Sequence, residues 1–384
     1  MRKNLNVVLV GLGFGSAFVP IYRKHPDVGA IGIMDSNRDL ADFWGKRYGC
    51  DKVYDSFEEV LGDKSIDAVH LVTPIPLHEE QTIKVLESGK HCACTVPMAI
   101  SLEGIEKIVK LANKTGKNYM MMETAVYTTH FFHVREMLRN NEFGAIQFLR
   151  GAHYQDMEEW PDYWMGLPPM YYGTHAIAPL VMVANSRIAK THCFGSGTLR
   201  EELSGQYGNP YPIECAIFEF ENGIKAEVTR SLFCTAIRYT EAFNVYGEKK
   251  TFLWQQIEEE EPILLTLNDL IPDGKGGFRR GKGSSFRRVV PRNCSELLPD
   301  EIAKYTIRNK YYDETNPQVT FEEGGGHGGS HPHMVNEFVR SIVEGRKPWI
   351  NEIVAGNITA AGICAHESAM QDGKEVTIPN FEVS

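Results

Sequence analysis

Asn6-Val7-Val8-Leu9-Val10-Gly11-Leu12-Gly13-Phe14-Gly15-Ser16 decides the fold of this chain. An apolar run of strand type ends in closely spaced glycines, and helix-like sequence follows. That is the context a dinucleotide-binding turn demands. Gly11 permits the tight turn, and Gly13 lets the backbone approach a pyrophosphate at the start of the helix, with Phe14 and Gly15 completing the loop. The third position of the pattern is Ser16, a small residue suited to close helix–strand packing. A second apolar run, Ala30 to Met34, ends at Asp35, which stands 22 residues beyond Gly13. A carboxylate there grips the adenosine ribose and repels a 2′-phosphate, so the expected cofactor is NAD, with Ser36 and Arg38 beside it.

The same alternation continues outward. Ala68 to Val72 ends at Thr73-Pro74, His91 to Thr95 ends just before Pro97, and Tyr119 to Met122 ends at Glu123. Between these runs lie helical patterns. One is Leu77 to Ser88, closed by Gly89 at a C-cap position; another opens at Ser101 and carries Ile105, Ile108 and Val109 on one face. Near-continuous apolar strands alternating with helices predict a parallel sheet covered on both sides: an α/β fold with an N-terminal Rossmann domain over residues 1–125. Ligands of such sheets collect at the carboxyl ends of the strands, which makes Thr73, Pro74, Thr95, Pro97 and Glu123 candidates for contact with the cofactor.

The texture changes after residue 125. Ile213 to Phe220 and Ile224 to Ser231 flank Glu221-Asn222-Gly223, whose Asn-Gly step signals a hairpin. Ala242 to Tyr246 and Thr251 to Trp254 continue the strand pattern. Residues 126–384 are therefore expected to form a C-terminal α/β domain with a large, mainly antiparallel open sheet. Its broad exposed face suits a homo-oligomer. Leu267 to Asn316 is a turn-rich, locally basic excursion (Arg279, Arg280, Lys282, Arg287, Arg288) read as a solvated surface. The end, His333 to Asp372, reads as two helices, expected to pack back on the first domain.

Composition narrows the function classes. The chain has 384 residues, 42% apolar and 23% charged, with a net charge of −10. These values fit a soluble two-domain protein, and the acidic balance argues against nucleic-acid binding. The longest apolar run, Ala176 to Ala184, is too short to span a bilayer and holds Pro179. The start, Met1-Arg2-Lys3-Asn4, enters a strand-like run directly, so no signal peptide is expected. The eight cysteines (50, 92, 94, 193, 215, 234, 294 and 364) are scattered without metal-binding or CxxC spacing, as in a cytoplasmic protein with free thiols.

Further segments make the chain resemble the Gfo/Idh/MocA oxidoreductase family over nearly its whole length. Thr73-Pro74-Ile75-Pro76-Leu77-His78 is similar to that family's TPxxxH stretch, which adds His78 to the cofactor-binding candidates. Thr95-Val96-Pro97 stands where most members carry Glu-Lys-Pro, and Tyr171-Tyr172-Gly173-Thr174-His175 where many have Asp-x-Gly-x-His. Gly345-Arg346-Lys347-Pro348, His366-Glu367-Ser368 and Gly373-Lys374-Glu375-Val376 are also family-like. The family's lysine is thus Val96 and its aspartate Tyr171, so of the usual Lys/Asp/His set only His175 survives. The altered pattern resembles a sub-branch with two kinds of member. One is the NAD-dependent glycosidases similar to α-N-acetylgalactosaminidase. The other is the bacterial sugar 3-oxidoreductases that act ahead of glycoside cleavage.

The resemblance implies NAD-dependent oxidation of a secondary hydroxyl, the 3-OH, of a glucoside or sugar. The alternative it leaves open is a glycosidase working by oxidation, elimination, hydration and reduction; a third is a non-catalytic NAD-binding regulator. Imidazole suits proton abstraction near neutral pH, so His175 is the expected general base, with Tyr172 beside it and His153 as second candidate. The segment His153-Tyr154-Gln155-Asp156 stands where the glycosidases carry a sugar-side motif. Expected sugar contacts are therefore Tyr154, Gln155, Asp156, Glu123, Trp160, Trp164, Tyr171, and His327 and His331 of a glycine-rich loop. That loop's mobility does not suit a fixed metal shell, so no metal is expected.

Overall fold

The computed structural model describes residues 4–254, 260–280, 283–312 and 320–382; Lys282 of the basic excursion lies outside them. The chain divides into two compact units, one of residues 1–129, 293–360 and 380–384, the other of residues 130–292 and 361–379.

The first unit is built on strands β1 (Leu5–Val10), β2 (Val28–Met34), β3 (Lys52–Val53), β4 (Ala68–Leu71), β5 (His91–Cys94) and β6 (Tyr119–Met121). All pair in parallel, in the order β3-β2-β1-β4-β5-β6. Val7, Val8, Leu9, Ile31, Ile33, Val69 and Leu71 are completely buried, as the continuous apolar runs require of a sheet covered on both faces. Helices α1 (Val19–Lys24), α2 (Arg38–Tyr48), α3 (Phe57–Gly62), α4 (His78–Glu87) and α5 (Leu102–Thr115) alternate with the strands. The Ser101 hydroxyl caps α5 by accepting the Gly104 N–H at 2.9 Å. Ile105, Ile108 and Val109 then fall on its buried face.

In the second unit, α6 (Thr129–Arg139) precedes β7 (Ile146–Tyr154), and α7 (Thr174–Ala184) precedes β8 (Ile188–Ser196), β9 (Ile213–Phe220), β10 (Lys225–Ser231), β11 (Thr240–Gly247), β12 (Lys250–Leu253) and β13 (Ile263–Leu267). A two-residue ladder, β14 (Ile271–Pro272) with β15 (Phe278–Arg279), leads to β16 (Ser284–Arg288). The excursion thus returns as an exposed edge strand, where Arg287 and Arg288 supply the charge that discourages edge pairing. The chain then forms α8 (Asp300–Ala303), the ladder β17 (Asn309–Tyr312) with β18 (Thr320–Glu323), α9 (Gly326–Val343), α10 (Glu352–Ala369) and β19 (Val376–Thr377).

The large sheet runs β16-β13-β12-β11-β7-β10-β9-β8-β19 and is antiparallel except for the pair β7–β10. The Asn222-Gly223 hairpin forms as read: the Phe220 N–H donates to the Ile224 carbonyl at 2.9 Å. Helix α7 lies against β7, β10 and β11. Gly151 lets it come that close, because a Cβ there would stand 2.3 Å from the Ala176 carbonyl oxygen.

Candidate functional site

In the first unit the glycine turn joins β1 to α1 where the strand order reverses, the point at which open parallel sheets take their ligands. Its glycines have separate tasks. A Cβ on Gly11, whose φ is +91°, would lie 2.3 Å from the Val72 carbonyl oxygen, and one on Gly15 2.8 Å from Leu9 Cδ2. A Cβ on Gly13 would meet nothing within 4 Å. Gly11 and Gly15 hold the turn down on the sheet, while the backbone at Gly13 is open and fits a pyrophosphate. The close packing expected of Ser16 falls to Gly15; Ser16 instead donates from Oγ to the Gly13 carbonyl at 3.2 Å.

Asp35 is fixed beside the turn: Oδ2 accepts the Leu12 N–H at 2.6 Å and Oδ1 the Asn37 N–H at 2.8 Å. Each oxygen keeps a lone pair for a ribose hydroxyl. Arg38 is committed to two carboxylates, Asp42 at 2.9 Å and Asp55, and Ser36 is exposed. After β4, Thr73 Oγ1 donates to Gln81 at 2.6 Å, and Pro74 leads into a short 3₁₀ turn. The buried His78 ring ties two strand ends together, its Nε2 lying 2.8 Å from the Thr73 carbonyl and its Nδ1 2.8 Å from the Pro97 carbonyl. Burial pulls its pKa down against those two carbonyls. Thr95 Oγ1 lies 3.4 Å from the same Nε2. Glu123, fully buried, accepts the Ala125 N–H at 3.0 Å and so caps the turn that follows β6.

His327 and His331 lie beside the glycine turn. Helix α9 opens in a left-handed turn, with φ of +43° at His327, +59° at Gly328 and +79° at Gly329. The turn sets the His327 and His331 rings 5.7 and 5.5 Å from Phe14 of the glycine turn. His331 also packs 4.5 Å from Phe18. Both expected sugar contacts thus sit against the cofactor turn.

In the second unit the structure gathers His153, Tyr172 and His175. Ring centroids are 5.0 Å apart for His153–His175 and 5.4 Å for Tyr172–His175. His175 lies in the first turn of α7, and His153 near the end of β7. Trp164 meets Tyr172 edge-on at 4.8 Å, and Tyr163 and the half-exposed Trp160 extend that aromatic wall. Gln155 joins the cluster through Arg230. Asp156 is exposed and turns back to accept the Glu158 N–H at 3.0 Å. Two of the expected sugar contacts in this unit lie away from the cluster. Strand alternation puts Tyr154 on the sheet face opposite His153. Tyr171 packs 5.3 Å from His366, whose Nδ1 lies 2.6 Å from Glu214.

Beneath the cluster runs a feature the sequence reading missed. Glu214, Arg230, His153 and Glu241 stand directly opposite one another on β9, β10, β7 and β11. Glu214, Arg230 and His153 are completely buried and Glu241 is 5% exposed. Buried charge is costly unless hydrogen-bonded, and here the bonding is extensive. Arg230 donates to the carbonyls of Tyr172 at 3.0 Å, His153 at 3.1 Å and Ser231, and to Gln155 Oε1 at 2.9 Å. Burial pulls its pKa down to about 10. Tyr239 donates its hydroxyl to Glu241, whose Oε1 lies 3.9 Å from His175 Nδ1. Burial and the neighbouring Glu241 charge push the Tyr239 pKa well up. One signal was within reach: counting outward from the Asn222-Gly223 turn sets Glu214 opposite Arg230.

Among the described residues no group of three His, Cys, Asp or Glu side chains is placed to hold a metal ion, and no helix is long and apolar enough to cross a membrane.

Two family models match: "Oxidoreductase family, NAD-binding Rossmann fold" over residues 5–123 and the GFO/IDH/MocA C-terminal domain over residues 131–253. A relative named glycosyl hydrolase family 109 protein 1, from Bacteroides fragilis, is 30% identical, the alignment covering 72% of this chain and 61% of the relative. The chain thus spans about three-fifths of that relative's length. A glycosyl hydrolase family 109 protein from Streptomyces filamentosus is 28% identical over 99% of this chain and 78% of its own. Among solved structures, levoglucosan dehydrogenase in complex with NADH and levoglucosan superposes with a TM-score of 0.76 over 98% of this chain and 100% of that one. At 20% identity that likeness shows the fold.

Proposed function

The chain belongs to the Gfo/Idh/MocA oxidoreductase family, and from that premise we propose that it oxidises a secondary hydroxyl, the 3-OH, of a glucoside or free sugar. The observation that carries this reading is the gathering of His175, Tyr172 and His153 under an aromatic wall in the unit that does not hold the nucleotide turn. Aromatic faces and hydroxyl-bearing rings suit a sugar, which offers C–H faces and many hydroxyls. NAD is held by the open backbone at Gly13 and by Asp35; Arg38, already paired with two carboxylates, is not free to favour a 2′-phosphate. When bound, the nicotinamide accepts the hydride. His175 takes the hydroxyl proton, and Tyr172 and Trp164 seat the ring. Thr73, Pro74, His78, Thr95, Pro97 and Glu123 shape the strand ends beside the nucleotide turn. His327 and His331, whose rings lie beside Phe14 of the glycine turn, are assigned to the cofactor's phosphates.

The names of the relatives favour a second reading, in which the sugar is re-reduced after elimination and hydration and the outcome is glycoside hydrolysis. One experiment separates them. The purified protein is incubated with a glycoside panel while reduced nicotinamide absorbance and product masses are followed. A ketosugar with net NADH supports the oxidoreductase; free reducing sugar without NADH supports the glycosidase. His175→Ala is expected to keep NADH affinity and to lower turnover by roughly 10²–10⁴. Near-normal turnover refutes the base assignment.

None of the eight cysteines is in a disulfide, which suits a reducing compartment such as the cytoplasm. Phe194 and Ile217, 55% and 45% exposed, lie on the outer face of β8 and β9, which supports self-association through the sheet.

A further inference from the structure

Tyr171 offers no carboxylate to His175 and is turned toward His366. A carboxylate reaches His175 from elsewhere in the fold. Glu241 lies on β11, opposite His153, and its Oε1 stands 3.9 Å from His175 Nδ1. We propose that Glu241 is the positioning residue of His175: it faces Nδ1 so that Nε2 is the nitrogen presented to the substrate hydroxyl, and it balances the imidazolium formed when the proton arrives. This rests on the reading of His175 as the base.

Several observations favour a working carboxylate over a packing one. Glu241 sits on a strand face whose next members, Phe243 and Val245, are buried and apolar, an unfavourable place for a charge. The cation of the same row, Arg230, gives its hydrogen bonds to three carbonyls and Gln155 and acts on Glu241 through its charge. Tyr239 grips Oε1, the same oxygen that faces His175, and so aims it. At 3.9 Å the Nδ1–Oε1 separation is too long for a hydrogen bond, which leaves a gain to be realised when the ring becomes charged. With side chains only 4% and 6% exposed, the two groups are poorly screened by water. The proton balance is simple. The substrate O–H bond breaks and an Nε2–H bond forms; the hydride leaves the same carbon for NAD, and a carbonyl remains. Glu241 neither gains nor loses a proton in this balance.

The test reads His175 directly. Facing its ring are Tyr172 from the preceding turn, His153 on β7 and Glu241 on β11, with Tyr239, just before β11, bonded to Glu241 and the Arg230 charge behind Tyr172. In ¹³C-histidine-labelled protein, the His175 signal, assigned by its loss in His175→Gln, is titrated in wild type, Glu241→Gln and Glu241→Asp. Removing the carboxylate destabilises the imidazolium, so in Glu241→Gln the midpoint is expected about one pH unit lower. The acid limb of the turnover profile should move the same way, with turnover at neutral pH about tenfold down. Glu241→Asp keeps the charge and should hold the midpoint near wild type. An unmoved midpoint in Glu241→Gln overturns the proposal. So does a Glu241→Asp midpoint displaced as far as that of Gln, which also decides the matter if Gln does not fold. Failure of the parent reading looks different: the midpoint moves as expected, but no glycoside is oxidised or His175→Ala turns over normally.

Discussion

Gly151→Ala is the sharpest perturbation of the way this fold presents His175. The added Cβ would stand 2.3 Å from the Ala176 carbonyl oxygen, whereas ordinary contact begins at 3.4 Å. The Cβ is fixed by the backbone and its partner is a backbone carbonyl, so no side chain can swing aside, and α7 must rise from the sheet by about 1 Å. Overpacking of this kind costs about 1–3 kcal/mol. At about 2–4 °C per kcal/mol for a unit of this size, the melting temperature should fall by roughly 2–12 °C. Function should suffer more than stability, because His175 rides on the displaced turn while Glu241 and His153 stay on the strands. A misplacement of about 1 Å lowers turnover by roughly 100-fold. The assay pairs thermal unfolding with initial rates on the best glycoside and with NADH binding, which should be unchanged because the nucleotide turn belongs to the other unit. Wild-type stability together with wild-type rates would refute the packing argument. Loss of NADH affinity in step with turnover would refute the claim that the damage is local.

Arg230→Met strips donors from the Tyr172 and His153 carbonyls and from Gln155 in a completely buried place, so about 3–5 kcal/mol of stability should be lost in chemical denaturation. Arg230→Lys should recover less than half of it, since an ammonium cannot reproduce the guanidinium fork. His327→Ala should weaken ADP-ribose binding roughly tenfold and leave adenosine binding unchanged, by calorimetry; equal losses for both would place His327 away from the phosphates. Acid should destabilise the first unit. Burial pulls the pKa of His70 down to about 3 and that of His333 to about 4, so below about pH 6.5 the unfolded chain binds protons that the folded chain refuses. Stability should therefore fall as pH drops from about 6.5 towards 4, by up to ~1.4 kcal/mol per pH unit for each histidine, and the fall should flatten in a His70→Phe, His333→Phe double variant.

The two halves of the molecule differ in how far they could be read before folding, and the difference is one of sequence distance. Gly11, Gly13, Asp35, Thr73 and Glu123 announce themselves because each ends an apolar strand in a parallel sheet, a context set by its immediate neighbours. The second unit hides its chemistry in pairing. His153, Arg230 and Glu241 become neighbours only when β7 takes a parallel partner on one side and an antiparallel partner on the other. No local pattern announces that arrangement, and Arg230 and Glu241 look like ordinary strand positions. The hairpin turn exposes one step of the row, Glu214 opposite Arg230, because a short loop fixes register. The next step depends on the parallel contact β7–β10, which joins strands with α7, β8 and β9 between them in the chain. His327 and His331 show a different dependence. Their glycine-rich surroundings are visible in the sequence, but the left-handed turn that carries their rings to Phe14 depends on φ angles at three consecutive residues. A site built on strand ends is thus legible from strand ends, whereas one built on register stays silent until the register is known. The residue expected to take the proton opens a helix and is legible through the family-like segment Tyr171 to His175, whereas the carboxylate proposed to steady it belongs to the register-built kind.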